Sequence, residues 1–508
     1  MLANVLLAED APSIADMITV LSEGRLLRLL LNSVIIGFGA SVLAVVIGVP
    51  IGLLLSRTNI PYRGFLQVAA LTPLIIPPYI AALSWTSLLG NQSALNKFLM
   101  DVFTLQSPPL SVYGHLGAIF VLGFVYFPFV VLLTQSGLAS IDRRLEEASL
   151  LSRGSLGTLC RITLPLLQPF ILASAVFVFI LSISNYGVPS LLRVNVYPVE
   201  IFIQFSAYYQ EHMAVVLALP LLAVTLTLIF VMKRLLGQRS YVVLSSGHRS
   251  PGRYDLGRWK YPCLIAVVGI LTVSPVLPVL SLMAQAGAWS AIWLAVKTAQ
   301  MQIVHSVFLA ASAATLATAL GFVLSYLIER KHTVVSRLAD LFSMVPFAFP
   351  AVILGIGLIL VWNRVFLEAV YTSNAIIVVG YIAITIPFTV RIISAGLKQM
   401  DISLEEMVLI SSGSWWTRVR NVVLPLCRPS LAIAWCICFL LCMYELGLTL
   451  LVAPPGTSTL SIRIYTLLHY GTGQLVSALS LVLIIAGLIP VVSLLWISRY
   501  KRDWTSFA

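Results

Sequence analysis

Residues 34–54 read VIIGFGASVLAVVIGVPIGLL, an apolar run without a charged side chain. The hydrocarbon core of a bilayer is about 30 Å thick, and a helix needs roughly 20 mainly apolar residues to cross it. The run therefore predicts a membrane-spanning helix, in which every backbone polar group is satisfied internally. The whole chain has the same character, because 59% of its 508 residues are hydrophobic and only 10% are charged, whereas about a quarter are charged in soluble domains.

Further runs of this kind predict an all-α membrane protein. The runs lie near residues 27–54, 65–89, 116–136, 168–190 and 213–232, and near 262–284, 304–328, 340–361, 374–396, 429–448 and 476–497. The prediction is thus eleven spans, five in the first half of the chain and six in the second.

Basic residues are concentrated in alternate connections between these runs. The basic connections are 57–63, 143–161, 233–260, 330–337 and 499–502. By the positive-inside rule these connections and the C-terminus are cytoplasmic. The net charge of +12 therefore reports membrane topology, and we predict no nucleic-acid partner.

The chain contains an internal repeat. TPLIIPPY at 72–79 matches VPFAFPAV at 345–352, and LEEASLLSRG at 145–154 matches LEEMVLISSG at 404–413. The shared prolines of the first pair predict kinked helices. Because the second copy has an even number of spans, successive copies point the same way through the bilayer. We predict two parallel-repeat helical bundles.

The repeat also predicts the domain limits. We assign 1–236 to the first half, 237–260 to a polar cytoplasmic linker and 261–508 to the second half. By alignment with the second copy, residues 1–8 correspond to the tail of a further span. Twelve spans are then expected if the native start lies upstream, and eleven if this copy has lost a helix.

Each repeated LEE segment predicts a short helix, a break and a second short helix. The paired acidic residues fall in the first turns, where carboxylates complement the helix dipole. A glycine then ends the first helix, and a proline ends the second. The residues singled out are Glu146, Glu147, Ser152, Gly154 and Pro165 in the first copy and Glu405, Glu406, Ser412, Gly413 and Pro425 in the second. An interfacial helix under lipid headgroups is the alternative for either loop alone, but two copies favour a partner with twofold symmetry.

These loops resemble the EAA motif of ATP-binding cassette importer permeases, which is Glu-Ala-Ala, three residues, Gly, nine residues, Ile, one residue and Leu-Pro. Counting back from the two Leu-Pro pairs puts the motif's glutamate on Glu146 and Glu406. The motif's glycine position holds Ser152 and Ser412, and glycines follow slightly later. The resemblance covers nearly the whole chain. The stretches PPYIAALSWTSLLGNQSALN at 77–96 and NYGVPS at 185–190 look most like the iron(III) branch, with thiamine, polyamine and 2-aminoethylphosphonate permeases as near relatives.

The resemblance implies a transport subunit of the bacterial inner membrane, and not an enzyme. No GxxxxGK[ST] phosphate-binding motif occurs in the sequence. The resemblance implies that two copies of a separate ATPase, using ATP and Mg²⁺, grip one loop each. It also implies an external substrate-binding protein that delivers the ligand, and no cofactor or metal in this chain.

Residues of the substrate path are predicted from polarity within the apolar runs. Glu445 and Tyr444, and Asn185 and Tyr186 at the matching place in the first copy, are the candidates. A purely structural role at the outer interface is the alternative. A secondary transporter with parallel repeats is the rival function, but it requires coupling-ion ligands within the spans, for which Glu445 is the single deep acidic candidate.

Overall fold

The computed structural model describes residues 24–141, 143–237, 254–331, 333–412 and 414–505. The described residues up to Gln285 form one compact unit, and those from Ala286 onward form another. We call them the first and second units and describe each by itself.

The first unit is built from helices. They are α1 (Gly24–Arg57), α2 (Arg63–Ala69), α3 (Pro78–Leu89), α4 (Ala94–Phe103), α5 (His115–Ser140), α6 (Arg143–Thr158), α7 (Leu164–Ile183), α8 (Gly187–Leu191), α9 (Tyr197–Ser206), α10 (Glu211–Gly237), α11 (Lys260–Leu271) and α12 (Leu277–Ala286). A π-helical turn, Leu159–Thr163, joins α6 to α7, and another, Thr272–Val276, joins α11 to α12.

The second unit repeats this pattern. Its helices are α13 (Trp289–Thr298), α14 (Gln300–Arg330), α15 (Val334–Met344), α16 (Ala351–Trp362), α17 (Glu368–Tyr371), α18 (Ala375–Lys398), α19 (Ile402–Ser412), α20 (Trp415–Arg418), α21 (Leu424–Tyr444), α22 (Gly447–Val452), α23 (Leu460–Tyr470) and α24 (Gly473–Thr505). The π-helical turn Val419–Val423 joins α20 to α21.

The predicted all-α membrane fold is confirmed. Among the described residues, 9 helices are long and apolar enough to cross a bilayer, and up to 11 if each of two bent pairs is one span. The bent pairs are Arg63–Ile75 with Pro78–Phe103, at 90°, and Val334–Ala348 with Ala351–Trp362, at 110°. Both bends fall at the prolines for which the sequence predicted kinks. The helix is fully broken at each bend. Ile76 and Phe349 have extended backbones, and the proline that follows each of them, Pro77 or Pro350, precedes the start of a new helix.

The centre of the first unit is the packing of α1 against α5. A Cβ atom added to Gly48 would lie 2.6 Å from Cβ of Val130 and 2.8 Å from the Phe127 carbonyl oxygen. The two backbones thus approach closely where a side chain is missing, which is the usual way for apolar helices to pack in lipid. The opposite side of α1 exposes large apolar side chains such as Phe38 and Val46, as expected of a surface that faces lipid.

The second unit uses the matching positions. A Cβ atom added to Gly321 of α14 would lie 2.7 Å from Cβ of Thr389 on α18. Ser306 Oγ accepts a hydrogen bond from the backbone N–H of Leu460 at 2.7 Å. In the first unit, Ser33 Oγ accepts one from Tyr197 N–H at 2.9 Å. Corresponding residues of the two copies therefore make corresponding contacts within their own units.

The division by packing differs from the division by sequence repeat. Helices α11 and α12 begin the second sequence copy but belong to the first compact unit. Ser274 Oγ donates to the Phe124 carbonyl oxygen at 2.8 Å, and Ser281 Oγ donates to the Ser84 carbonyl oxygen at 3.3 Å. The domain limits at 236 and 261 describe the repeat and stay a prediction, whereas the packing boundary falls between Gln285 and Ala286.

Candidate functional site

The first predicted loop is fixed to the end of α1 by a buried ion pair. Glu146 of α6 is 5% exposed, and its Oε2 lies 3.1 Å from Nη2 of Arg57. Thr163 Oγ1 donates to Oε1 of the same carboxylate at 2.8 Å. Arg57 also donates to the Leu138 carbonyl oxygen at the end of α5, at 2.8 Å. The Glu146–Arg57 pair thus ties the loop to the ends of α1 and α5.

The second loop is fixed in the same way with more groups. Glu405 of α19 is 2% exposed, and its Oε1 lies 2.7 Å from Nε of Arg330 at the end of α14. Its Oε2 accepts a hydrogen bond from the Tyr326 hydroxyl at 3.2 Å and lies 3.7 Å from Nε of Arg418. Arg330 Nη2 also donates to the Leu397 carbonyl oxygen at 3.1 Å.

The structure corrects the register of the second loop. The motif count paired Glu146 with Glu406, but the buried counterpart of Glu146 is Glu405, and Glu406 is exposed. Arg57 and Arg330 occupy the same place in the two copies, and each binds the first glutamate of its LEE segment. The count failed because the second loop has one more residue between its glycine and its Leu-Pro pair than the first loop has.

The opposite face of each loop is open. Leu145 is 53% exposed beside the exposed Glu147, and Met407 is 57% exposed beside the exposed Glu406. Each loop is therefore held on one side by a buried carboxylate and presents an acidic and apolar surface on the other. Such a mixed surface is suited to contact with another protein.

The turn residues of the first loop are partly as predicted. Gly154 breaks the helix, with φ of 69°, a left-handed conformation that glycine adopts without strain. Ser152 is exposed, and its hydroxyl donates to the Ser149 carbonyl oxygen at 3.2 Å. In the second loop Gly413 and the side chain of Ser412 lie outside the described residues.

The prediction that Pro165 and Pro425 end the second loop helix is wrong. Each proline lies in the first turn of a spanning helix, α7 or α21, which continues directly from a π-helical turn. A proline clashes with the carbonyl four residues before it in a regular helix. The wider π turn just before each proline is the local departure from regular helix that accommodates this ring.

The end of the linker is attached beside the Glu146–Arg57 ion pair, which we call the anchor of the first loop; the Glu405–Arg330 pair is the anchor of the second. The backbone N–H of Tyr254 donates to the Arg57 carbonyl oxygen at 2.7 Å, and Asn59 N–H donates to the Tyr254 carbonyl oxygen at 3.3 Å. The Asn59 side-chain amide donates to Asp255 Oδ1 at 2.6 Å. Burial, and next the Glu146 carboxylate, raise the pKa of the Tyr254 phenol. Residues 238–253 of the predicted linker lie outside the described part of the chain.

The four path candidates have structural partners within their own units. Asn185 Oδ1 accepts the Val188 N–H at 2.9 Å, and Glu445 Oε1 accepts the Leu448 N–H at 2.9 Å. Each side chain thus caps the short helix that follows a span, α8 or α22. The ring of Tyr186 packs on Phe202, with centroids 4.8 Å apart.

Tyr444 is in close contact with α24. Its hydroxyl packs against the backbone of Gly487, in the space that a Cβ atom would occupy there. A role of the four candidates in a substrate path stays a prediction. Within the described residues, no group of three or more His, Cys, Asp or Glu side chains is placed to hold a metal ion.

Sequence reasoning missed the cations of the two anchors. By sequence, Arg57 and Arg330 are interpreted only as topology signals, although they lie at matching positions of the two copies and each follows a long apolar run by two or three residues. That coincidence was the available signal. Tyr326, inside a span, and Tyr254, at the end of the linker, gave no signal of their proximity to a carboxylate.

Comparison with known protein families supports the same organisation. The family described as the inner membrane component of binding-protein-dependent transport systems matches residues 26–240 and 317–502. The two matched segments cover well over half of the chain and fall one in each copy of the repeat.

Similar proteins come from several bacteria. An Fe(3+)-transport system permease protein of Haemophilus influenzae is 23% identical over 504 residues, which is 96% of this chain and 93% of the relative. A ferric transport system permease protein of Actinobacillus pleuropneumoniae is 22% identical over 512 residues, covering 95% and 73% of the two chains. A spermidine/putrescine transport system permease protein of Escherichia coli is 25% identical over 197 residues, covering 39% and 74%.

Proposed function

Because the chain belongs to the family of binding-protein-dependent transport system inner membrane components, we propose that it is the permease subunit of an ATP-driven iron(III) importer. The family membership and the apolar helices make it a multi-pass inner membrane protein with a role in transport. The proposal adds the substrate, the partners and the way in which they act on the chain.

The observation that carries the proposal is the pair of anchored loops. In each unit a buried glutamate ties the loop to the end of a spanning helix, while the other face of the loop is open. A force applied to that open face is transmitted to the span, because moving the loop alone would strip a buried carboxylate of its arginine. The loops are therefore suited to receive the motion of a motor protein.

The proposed motor is a pair of ATPase subunits, one on each loop. ATP and Mg²⁺ are used by those subunits, and this chain needs no cofactor of its own. ATP-bound closure of the pair draws the loops together and opens the substrate path outward, and hydrolysis reverses the change. This cycle requires that each loop makes different contacts in the two states, since a partner that binds both states equally shifts nothing.

The proposed topology places both loops, the linker and the C-terminus in the cytoplasm, following the basic connections. It requires that each bent helix pair crosses the membrane as one broken span. A substrate-binding protein docks on the opposite side and delivers the ligand to a path that includes Asn185, Tyr186, Tyr444 and Glu445.

Iron(III) is the proposed substrate because the relatives that match nearly the whole chain are ferric permeases. Thiamine, a polyamine or 2-aminoethylphosphonate are the alternatives, and the polyamine permease resembles a shorter part of the chain. The chain does not itself hold the iron in this proposal, and selection of the substrate belongs to the binding protein.

The test uses the full chain with its ATPase and binding protein in lipid vesicles. ATP-dependent uptake of labelled iron(III) is expected from the parent. Glu147→Lys combined with Glu406→Lys reverses charge on both open loop faces and should abolish co-purification of the ATPase and uptake together. Thermal unfolding should stay unchanged, because neither side chain is buried.

The matched control is Glu211→Lys, an exposed glutamate at the start of α10. It should leave co-purification of the ATPase intact, because the proposed topology puts the start of α10 on the side of the membrane opposite the loops. Iron uptake that continues without any ATPase would show a secondary transporter. Uptake of thiamine, spermidine or 2-aminoethylphosphonate in place of iron would keep the motor and overturn the substrate.

A further inference from the structure

A second polar site lies on α21, beyond the anchored loop. The π turn and the first turns of this helix line a cleft of about 650 Å³. Its lining is Arg420, Asn421, Leu424, Pro425, Arg428 and Leu431. Two cationic side chains and an amide thus share one cleft with three apolar residues.

Among the residues that the structure describes, the two arginines of the cleft have no acidic partner. Within the described part of the chain, neither Arg420 nor Arg428 has an ion pair or a hydrogen bond, and both are exposed. The neighbouring Arg418 differs, because it lies 3.7 Å from the Glu405 carboxylate. The cleft therefore has two guanidinium groups available for an external anion, and guanidinium groups bind phosphate oxygens with several N–H donors at once.

The position of the cleft favours a lipid. Arg420 and Arg428 lie eight positions apart, about 12 Å along a helix, and both side chains line the same cleft. The two guanidinium groups can therefore approach one phosphate at the start of a spanning helix. Leu424 and Leu431 continue the cleft into the apolar part of α21, where an acyl chain fits and a soluble anion gains nothing.

The first unit lacks this arrangement at the matching positions. Cys160 replaces Arg420 and Gln168 replaces Arg428, while Arg161 stands where the second unit has Asn421. General membrane topology asks for basic residues near the ends of both matching spans. This rule does not explain why two arginines line one cleft in the second copy alone.

We propose that the α21 cleft binds the phosphate headgroup of an anionic phospholipid from the cytoplasmic leaflet, with Arg420, Asn421 and Arg428 on the phosphate and Leu424 and Leu431 on an acyl chain. The site stands on the geometry of the second unit alone and is independent of the transported substrate. Its ligand is a lipid and not a soluble protein, because the apolar end of the cleft lies within a span.

The test is phosphatidylglycerol binding to the purified full chain in detergent, followed by native mass spectrometry and by thermal unfolding. Arg420→Gln combined with Arg428→Gln should weaken binding by about tenfold or more, as expected when charge-assisted hydrogen bonds are lost. Phosphatidylglycerol should raise the unfolding temperature of the parent and not of this variant. Phosphatidylcholine, which has no net charge, should bind weakly to both.

Two further variants separate the site from general charge effects. Arg161→Gln removes a basic residue at the matching place of the first unit and should bind phosphatidylglycerol like the parent. Leu431→Trp fills the apolar end of the cleft, keeps both arginines and should also weaken binding. Equal lipid binding by the parent and the double arginine variant would overturn the proposal. It would also be overturned if Arg161→Gln lost as much phosphatidylglycerol binding as the double arginine variant. Displacement of phosphatidylglycerol by millimolar inorganic phosphate would show a site for free phosphate and would likewise overturn it.

Discussion

Replacing Glu405 by alanine is expected to release the second loop from its span. The carboxylate is 2% exposed, and its removal leaves Arg330, whose side chain is 10% exposed, without its ion pair at 2.7 Å. Breaking a buried pair by removing one partner costs about 3–5 kcal/mol. The Tyr326 hydroxyl and Arg418 lose the same partner, and because these groups share one carboxylate their losses are not additive.

The loss should appear as local opening of α19. A free-energy change of about 3–5 kcal/mol raises the population of the opened loop by roughly a hundredfold to a few thousandfold. Backbone amides of 402–412 exchange hydrogen in proportion to that population. Hydrogen exchange followed by mass spectrometry on the full chain should therefore show exchange at least about a hundredfold faster in this segment, with spans away from α14 and α19 unchanged.

Two variants control this experiment. Glu406→Ala alters the exposed neighbour and should change stability by no more than about 0.5 kcal/mol. Glu405→Gln keeps an acceptor for the Tyr326 hydroxyl without the charge, so its exchange should be intermediate. The reasoning is refuted if Glu405→Ala exchanges like the parent, or if Glu406→Ala accelerates exchange as strongly as Glu405→Ala.

Three further predictions concern packing, the linker and pH. Gly48→Leu should destabilise the first unit by about 1–3 kcal/mol in thermal unfolding, because the new side chain overlaps Val130. Asn59→Ala removes two hydrogen bonds to residues 255 and 256 and should increase trypsin cleavage at the end of the linker at neutral pH. The Gly257 N–H, and next the Asn59 amide, lower the pKa of Asp255 below its ordinary 3.8. The contribution of Asp255 to attachment of the linker should therefore be full above that value and be lost as the pH falls through the lowered pKa, which an increase in pepsin cleavage can follow.

The spans were predictable because each rests on a long apolar run, a signal that needs no knowledge of partners. The repeat was equally visible, and the matching contacts of Ser33 and Ser306 show that it is structural. The breaks at Ile76 and Phe349 were underestimated, since proline in a sequence marks a kink and a break alike. The domain packing of α11 and α12 was invisible, because a serine that bonds a distant carbonyl resembles any other serine in a span.

The candidate site was predicted in part. Repetition and charge identify the two LEE segments, but each segment has two adjacent glutamates, and the sequence alone provides no reason to choose between them. Burial distinguishes them, and burial depends on which side of a short helix meets the end of a span. Arg57 and Arg330 make that choice, because a carboxylate enters a low-dielectric site only with a cation beside it. The motif count, which depends on spacing alone, chose the exposed Glu406.

The two anchors surround their buried carboxylates with different residues. In the second unit Tyr326 of α14 supplies a hydroxyl to the buried carboxylate, but the matching residue of α1 is Leu53. In the first unit the backbone pairing with Arg57 and Asn59 brings Tyr254 near the Glu146 carboxylate, but no hydrogen bond joins the two side chains. The end of the connection between the copies is therefore attached to the backbone of the first anchor and not to its carboxylate. Since this attachment involves Arg57, cutting the linker should loosen the first loop and leave the second loop as it is.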